Sequence, residues 1–366
     1  MQKKLNILGT RGIPANHGGF ETFAEHLAIY LVKNEWDVTV YCQIEGCGEA
    51  LIDDWNGIRR VNIPVDKTGA LGTVIFDYKS TLHAAKSDGL ILTLGYNTAI
   101  FSTIYRLKKR KNIINMDGIE WKRAKWSFFE RAWLYFNERI GCHIGNLLIA
   151  DHPEIENHLS SRVSNDKIVM IPYGADQVSN ADKNVLLNFG LTPNNYALVI
   201  ARPEPENSIF EIVTAFSQKK RNIKLVVLGD YNKGNIAYCK KVKDAASDEV
   251  IFPGAIYDKL IVQALRYFTL LYIHGHQVGG TNPSLVEALG AENAILAHDN
   301  CYNRWVAGEI NHYFDDIDSC QAKLDWLLNT KDVLDNMKYS SMSIYKSKFT
   351  WPRILNQYKT TLLDFL

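Results

Sequence analysis

The chain has 366 residues, enough for two domains that each have a hydrophobic core. Its net charge of +1 creates no overall field that would attract nucleic acid, and its content of 46% hydrophobic and 22% charged residues is ordinary for a soluble globular protein. The six cysteines form no C-x-x-C pair and no metal-ligand pattern, so we expect them to be reduced and structural. No apolar run exceeds strand length and no signal peptide is recognisable, so we expect a cytoplasmic protein.

The first part of the chain alternates apolar runs with helical patterns. The run at 5–8 leads into a glycine-rich loop at 9–19, and apolar residues at helical spacing then predict a helix from about 20 to 33. The loop lacks the G-x-G-x-x-G spacing of a dinucleotide-binding fold, which argues against NAD. Strands are predicted near 5–9, 37–42, 90–94, 112–116 and 146–150.

The pattern restarts after a polar stretch at 173–194, where we expect the domain boundary. Strands that alternate with helices imply parallel sheets, so the sequence predicts two doubly wound domains, one of residues 1–175 with 350–366 and one of 176–349. Arg202 falls at the carboxyl end of a predicted strand, where open α/β sheets bind ligands. The second set of strands is predicted near 196–201, 223–229, 249–252, 269–273 and 293–297.

The segment 279–288, GGTNPSLVEA, is typical of a helix start that holds an anion. Pro283 stands where the first helical residue should be, with Thr281 or Asn282 as the cap. Two glycines let the backbone approach a ligand closely, and the amides of the first turn lie at the positive end of the helix dipole. Glu287 lies one turn further along the same helix and can accept hydrogen bonds from ribose hydroxyls. Phosphate and ribose together indicate a nucleotide.

These residues together resemble glycosyltransferase family 4, which has the GT-B fold. The resemblance is carried by GGFE at 18–21, Arg202, IPYGAD at 171–176 and LVEALG at 285–290. The segments 7–14 and 279–287 are most similar to a bacterial branch that includes rhamnosyltransferases of surface-polysaccharide biosynthesis. The resemblance implies an α/β protein with two Rossmann-like domains that face each other across a cleft, and a C-terminal helix that packs back on the first domain.

The family binds a nucleotide-diphosphate sugar mostly on its second domain. The resemblance implies that Arg202 pairs with the diphosphate, that Glu287 binds the ribose, and that the backbone near Gly254 recognises the base. In the first domain, Gly18 and Gly19 would approach the donor. The phosphates would be held by the loop and helix start of Gly279, Gly280, Thr281, Asn282 and Ser284. Fixed amides and an arginine suit a departing diphosphate, on which negative charge grows.

Three positions depart from the family pattern. The family carries a glutamate eight residues before the one matched by Glu287, and this chain has Gly279 there. A lysine that follows the arginine by about five residues is replaced by Asn207. The acceptor-side histidine is replaced by a segment that contains Asp117. These changes put more of the leaving-group stabilisation on Arg202 and on the helix amides.

Several polar residues have two open interpretations. Asp117 follows a strand and precedes a glycine, so it either accepts a hydrogen bond or proton from the acceptor hydroxyl or is a turn carboxylate. His17, in the glycine loop, either contacts the donor or is solvated. His274 and His276 are donor contacts or structural histidines. Asp316-Ile317-Asp318 matches the D-x-D motif of metal-dependent transferases. Its position just before a predicted amphipathic helix favours a role in capping that helix, so we expect no metal.

Two basic and aromatic segments of the first domain, 106–111 and 121–129, suit an anionic membrane surface, with a solvated protein surface as the alternative. The sequence thus predicts a retaining glycosyltransferase without cofactor or metal. It would transfer a sugar, with rhamnose as the candidate, from a nucleotide-diphosphate donor to a saccharide or lipid-linked saccharide acceptor, in the cytoplasm or at the inner face of the membrane. The alternatives are a nucleotide-sugar epimerase of the same fold and a catalytically inactive nucleotide-sugar binding protein.

Overall fold

The computed structural model of the protein describes residues 3–15, 18–123, 125–232 and 235–366. The chain divides into two compact units, one of Met1–Pro172 with Trp351–Leu366 and the other of Tyr173–Thr350. Each unit contains one sheet, of eight strands in the first unit and of six in the second. This is the α/β architecture that the alternation of strands and helices predicts.

The sheet of the first unit has the strand order β3-β4-β2-β1-β5-β6-β7-β8, and all neighbouring pairs are parallel except β3 with β4. The strands are β1 (Lys4–Leu8), β2 (Asp37–Glu45), β3 (Leu51–Trp55), β4 (Ile58–Val65), β5 (Leu90–Leu94), β6 (Asn112–Asn115), β7 (Leu147–Ala150) and β8 (Ile168–Met170). The helices between them are α1 (Gly19–Val32), α2 (Gly69–Ala84), α3 (Thr103–Leu107), α4 (Phe128–Ile144) and α5 (Pro153–Ser160).

The hairpin of β3 and β4 at the sheet edge is an element that the sequence analysis did not predict. Its two-residue turn is Asn56 and Gly57, with φ values of 54° and 77°. Asn-Gly is the commonest sequence for a turn in which both residues have positive φ, and such turns match the twist of the flanking strands. The Asn-Gly pair is therefore a local sequence signature of this hairpin. Strand β4 also pairs with β2, in parallel.

The sheet of the second unit has the order β11-β10-β9-β12-β13-β14 and is parallel throughout. Its strands are β9 (Tyr196–Ile200), β10 (Lys224–Leu228), β11 (Val250–Gly254), β12 (Leu271–His274), β13 (Ile295–His298) and β14 (His312–Phe314). Its helices are α6 (Ile209–Ser217), α7 (Ile236–Asp244), α8 (Lys259–Tyr267), α9 (Pro283–Gly290), α10 (Cys301–Ala307), α11 (Ile317–Leu327) and α12 (Lys331–Lys348).

Both faces of this second sheet are buried. Along β9, Tyr196 and Leu198 pack into one apolar cluster, and Ala197 and Val199 pack into the cluster on the opposite face. Strands that are apolar on both faces are typical of parallel sheets covered by helices. The carboxyl ends of β9 and β12, where ligands bind in such folds, carry Arg202 and the glycine loop of 279–282.

The last helix, α13 (Trp351–Leu363), belongs to the first unit, as the sequence analysis predicts for a C-terminal helix that returns. The Tyr358 ring lies 4.6 Å from the Phe23 ring of α1, measured between centroids. Its hydroxyl accepts a hydrogen bond from Asn115 Nδ2 at 2.8 Å. The end of the chain therefore supports the carboxyl end of β6.

Candidate functional site

The start of α9 in the second unit has the capping that the sequence predicts. Pro283 is the first helical residue, and the side chain of Asn282 accepts a hydrogen bond from the Ser284 amide at 3.0 Å. Gly279 has a φ of 125°, which favours glycine. Within the described parts of the chain, the amides of Gly279 and Gly280 make no hydrogen bond. The loop therefore offers donors to an anion at the positive end of the helix dipole.

Glu287 is held by an arginine that the sequence analysis missed. Arg266, in the last turn of α8, is only 5% exposed, and its Nη2 lies 2.5 Å from Glu287 Oε2. The same nitrogen donates to Ser284 Oγ at 3.0 Å, and the Tyr272 hydroxyl lies 2.7 Å from that oxygen. The Glu287 side chain remains 36% exposed. Arg266 therefore orients one carboxylate oxygen and leaves the other available to a ligand.

The amide and the hydroxyl of Ser284 both form hydrogen bonds within the protein. Its amide donates to Asn282, and its hydroxyl contacts Arg266 and Tyr272. The side chains of Ser284 and Asn282, which the sequence analysis assigns to donor binding, thus build the helix start in this structure. Thr281 beside them is 4% exposed. Phosphate binding by the Ser284 amide would require displacement of the Asn282 cap, so the direct role of Ser284 stays a prediction.

Arg202 lies two residues after the end of β9 and is exposed. Its guanidinium makes no hydrogen bond or ion pair with any residue that the structure describes. Its carbonyl oxygen accepts from Asn207 Nδ2 at 2.8 Å and from the Glu204 amide at 2.7 Å, which closes a tight turn after the strand. The side chain therefore extends from a rigid backbone with its charge unengaged by these residues, as a diphosphate ligand would require.

Asn207, which stands at the family's lysine position, binds His276. Because Asn207 donates through Nδ2 to the Arg202 carbonyl, its Oδ1 is the acceptor that lies 2.6 Å from His276 Nδ1. This contact assigns the hydrogen of the neutral imidazole to Nδ1. The His276 carbonyl accepts from Asn303 Nδ2 at 2.8 Å. A Cβ placed on Gly279 would lie 3.3 Å from His276 Nε2, so this ring borders the glycine loop.

His274 is a structural residue of the core. It is 4% exposed, and its ring stacks with that of Tyr272 at 6.1 Å between centroids. Burial, together with the neighbouring His276 and Arg266, lowers the pKa of His274 well below 6.5. Its Nε2 has no hydrogen-bond partner within the described residues. His274 is therefore neutral at physiological pH, and its burial separates it from solvent.

Gly254, the predicted base-recognition residue, ends β11 with a φ of 91°. A Cβ at this position would meet no atom within 4 Å. Its carbonyl accepts from the Gly229 amide at 3.2 Å, which ties together the carboxyl ends of β10 and β11. The backbone here is open on the side where a side chain would stand, as contact with a base requires.

The glycine loop of the first unit is held by two acids of α1. Glu21 Oε1 accepts from the Arg11 amide at 3.2 Å, and Glu25 Oε2 accepts from the Ala15 amide at 2.6 Å. Gly18 is the N-cap, and a Cβ there would collide with the Glu21 carboxylate. Gly19 begins the helix. His17 lies outside the described residues, and the donor contacts of Gly18 and Gly19 stay predictions.

Asp117 lies two residues after the end of β6 in the left-handed region, with a φ of 52°. Its amide donates to Asn115 Oδ1 at 2.9 Å, and Asn115 in turn binds Tyr358 of α13. Burial and then the nearby Glu120 raise the pKa of the Asp117 carboxyl to about 6. A carboxyl with this pKa is largely ionised at pH 7 and can accept a hydrogen bond or a proton.

In the segment 121–129, the two tryptophans are hydrogen-bonded within the protein and the two phenylalanines are exposed. Trp121 Nε1 donates to Glu138 at 2.6 Å, and Trp126 Nε1 donates to Glu120 at 3.3 Å. These two rings are therefore anchored to acids of the first unit rather than presented to a membrane. By contrast, Phe128 and Phe129 at the start of α4 are 79% and 82% exposed. No helix in the described parts of the chain is long and apolar enough to cross a membrane.

Asp316 caps α11, as the sequence analysis predicts. Its Oδ1 accepts from the Ser319 amide at 2.8 Å, and Ser319 Oγ accepts from the Asp316 amide at 3.1 Å. Hydrogen bonds from Ser319 to the Asp316 carboxylate hold the pKa of Asp316 below its usual value. Among the described residues, no group of three or more histidine, cysteine, aspartate or glutamate side chains is arranged to hold a metal ion.

Comparison with known proteins gives one match for the N-terminal part of the chain. A protein-family model described as a domain of unknown function, DUF1972, matches residues 2–176. No curated protein matches the chain in sequence.

Solved structures similar to this one cover the whole chain. Sucrose-phosphate synthase from Thermosynechococcus elongatus is 14% identical with a TM-score of 0.79, and the match covers 100% of this chain and 99% of that one. HepE from Anabaena, in complex with UDP and glucose, is 13% identical with a TM-score of 0.76 over 100% of both chains. A glycosyltransferase from Rickettsia africae is 12% identical with a TM-score of 0.72 over 99% of this chain and 98% of that one. With its two parallel-sheet units, the chain has the GT-B fold.

Proposed function

We propose that this protein is a retaining, metal-independent glycosyltransferase that uses a nucleotide-diphosphate sugar. The observation that carries the proposal is the arrangement in the second unit, where the half-exposed Glu287 carboxylate, paired with Arg266, lies one turn beyond the capped start of α9. A helix N-terminus can bind phosphate, and a carboxylate can accept hydrogen bonds from ribose hydroxyls. Among solved structures of the same fold, HepE has been crystallised with UDP-glucose, which supports a UDP-like donor here.

Each part of the donor has a candidate partner. The diphosphate would bind the amides of Gly279 and Gly280 and the Arg202 guanidinium, whose charge no described residue neutralises. The ribose would bind Glu287, and the base would lie against the backbone at Gly254. Fixed amides and a guanidinium stabilise the charge that grows on the departing diphosphate without reorganisation during the reaction.

The proposed reaction retains the anomeric configuration by attack on one face of the sugar. The bond from the anomeric carbon to the diphosphate oxygen breaks, the bond to the acceptor oxygen forms on the same face, and the acceptor proton passes to the departing phosphate. Asp117 accepts a hydrogen bond from the acceptor hydroxyl and orients it. We assign the acceptor to a saccharide or lipid-linked saccharide of cell-surface polysaccharide synthesis, and the transferred sugar to rhamnose.

A thermal-shift screen with UDP, dTDP, GDP and ADP, followed by product analysis with the matching sugar donors, tests this function. A transferase releases free sugar slowly without acceptor and forms a glycoside with one, in the presence of EDTA. An epimerase would change the donor sugar without an acceptor, and an inactive binding protein would bind the nucleotide without turnover. Absence of stabilisation by every nucleotide would refute the proposal.

We further propose that the protein works in the cytoplasm and contacts the inner face of the membrane through the first unit. The exposed Phe128 and Phe129, together with the exposed Lys108 and Lys109, supply apolar and basic groups for an anionic surface. Lipid-linked acceptors would be presented at that surface.

A further inference from the structure

Glu120, in the chain between β6 and α4, forms a buried ion pair that has no role in the function proposed so far. Its Oε1 accepts a hydrogen bond from Arg123 Nη1 at 2.8 Å, and its Oε2 accepts one from Trp126 Nε1 at 3.3 Å. The side chains of Glu120 and Arg123 are 13% and 11% exposed. Both oxygens of the Glu120 carboxylate are therefore held by donors, largely out of contact with water.

Backbone hydrogen bonds fix this pair close to Asp117. The Glu120 amide donates to the Gly118 carbonyl at 3.0 Å and to the Tyr96 hydroxyl at 2.8 Å. The Arg123 amide donates to the Glu120 carbonyl at 3.0 Å. Tyr96 lies in the loop after β5 and is 1% exposed, so it ties this turn to the neighbouring strand. The pair and Asp117 therefore belong to one rigid turn.

The position of the pair gives it an effect on the charge of Asp117. A buried ion pair adds little net stability, because the cost of taking two charges out of water offsets most of their attraction. After burial, which is the largest cause, Glu120 raises the pKa of the Asp117 carboxyl, whereas Arg123 and Lys125 lower it. The two members of the pair thus act on Asp117 in opposite directions.

The other ionisable groups around Asp117 are Lys125 of the same segment, Tyr96, and Tyr358 of α13, which reaches Asp117 through Asn115. Burial raises the pKa of both tyrosines far above the ordinary value, so these two hydroxyls stay neutral. Glu120 is therefore the acid of this set, and its charge opposes a second negative charge on Asp117.

We infer that Glu120 and Arg123 are positioning residues that fix Asp117 and set its charge for the contact with the acceptor hydroxyl. Glu120 makes the Asp117 carboxylate more basic, so that it accepts a hydrogen bond or a proton near neutral pH. Arg123 holds Glu120 in place and limits this effect, so that Asp117 is still ionised at pH 7. This inference rests on the proposed function, because the pair acts through Asp117.

The pH dependence of kcat/KM tests the inference, because loss of packing alone does not move a titration in two directions. Glu120→Gln should lower the midpoint of the rise in kcat/KM by about 0.5–1 pH unit, and Arg123→Met should raise it by a similar amount. Arg123→Lys keeps the charge and should return the midpoint towards that of the wild type. Glu154→Gln is the matched control, because Glu154 is an exposed acid of α5 in the same unit, and it should leave the midpoint unchanged.

Unfolding measurements follow the same titration without any substrate. In each background, the stability advantage of Asp117→Asn should grow from about pH 4 and level off where Asp117 ionises in the folded protein. The pH of this plateau should fall with Glu120→Gln and rise with Arg123→Met. Unchanged midpoints, or shifts of both variants in the same direction, would overturn the inference. If the unfolding curves shift as expected while the wild type transfers no sugar, the effect of the pair on Asp117 is supported and the proposed function is wrong.

Discussion

Replacing Glu287 with glutamine removes the negative charge that faces the Arg266 guanidinium in the second unit. Arg266 is 5% exposed, so the variant leaves a buried cation without its counter-charge. Loss of one partner from a buried pair costs about 3–5 kcal/mol. Glu287 is 36% exposed and a glutamine oxygen can still accept from Arg266, so we expect a smaller loss of about 2 kcal/mol in the free energy of unfolding. At about 2–4 °C per kcal/mol, Tm should fall by about 4–8 °C.

Arg266→Met should behave differently from Glu287→Gln. The charge that it leaves without a partner is the Glu287 carboxylate, which has access to water, whereas Glu287→Gln leaves a buried cation unpaired. It also loses the hydrogen bond to Ser284, which keeps its contact with Tyr272. In the Arg266→Met background, Glu287→Gln should therefore add less than about 0.5 kcal/mol to the loss. Urea unfolding followed by tryptophan fluorescence on the four proteins of this cycle measures the coupling.

The same variants separate positioning from folding. Glu287→Gln should raise the donor KM by about tenfold or more, and Arg266→Met should also raise it because the carboxylate loses its orientation, with partial recovery in Arg266→Lys. The values of kcat at saturating donor should change less. If the two single substitutions were additive in stability and left UDP affinity unchanged, Arg266 would have no positioning role and the ribose assignment of Glu287 would be wrong.

Arg202→Ala should weaken UDP binding by about 2–3 kcal/mol and leave uridine binding unchanged, because a charge-assisted bond to phosphate is lost; equal losses in calorimetry would remove Arg202 from the phosphate site. The raised pKa of Asp117, about 6 against 3.8, means that ionisation opposes folding above pH 6 and that this penalty disappears below about pH 4. Asp117→Asn should therefore be more stable than the wild type at pH 7.5 but not at pH 4. The rise in kcat/KM that the wild type shows through about pH 6 should be lost in this variant. A pH profile of kcat/KM that Asp117→Asn does not change would exclude the carboxyl from the reaction. Activity should survive EDTA, and loss with recovery on added magnesium would refute the metal-independent mechanism. Vesicles of anionic lipid should sediment the protein at low salt and release it at high salt, with weaker binding of Phe128→Ser/Phe129→Ser; wild type that ignores such vesicles would exclude the membrane contact.

The features that the sequence predicts best are those that depend on neighbouring residues. Pro283 at the first helical position and Asn282 as its cap follow from local backbone chemistry, and the structure has both. Ten of the 14 strands lie within a few residues of the predicted ranges because each is an apolar run between helices, whereas β3, β4, β8 and β14 are not predicted. The hairpin turn at Asn56 and Gly57 has an equally local signature, so this element too follows from neighbouring residues.

Contacts between distant residues could not be predicted in this way. Arg266 lies 21 positions before Glu287, in the last turn of α8 beside the buried Ala264 and Leu265. An arginine on the buried side of an amphipathic helix signals a buried partner, but the sequence does not identify that partner. The bond from Asn115 to Tyr358 joins residues 243 positions apart. Such pairs depend on how the elements pack and not on local propensity.

Two of the three departures from the family pattern meet at one histidine. His276 Nδ1 binds Asn207 at the lysine position, and its Nε2 borders Gly279 at the glutamate position. A lysine side chain at 207 has no acceptor oxygen for His276 and would place a cation beside the ring. A glutamate at 279 would need a φ of 125° that side chains rarely adopt, with its Cβ against His276. The asparagine, the glycine and the histidine therefore form one unit, and restoring either family residue alone would disturb contacts beside the glycine loop.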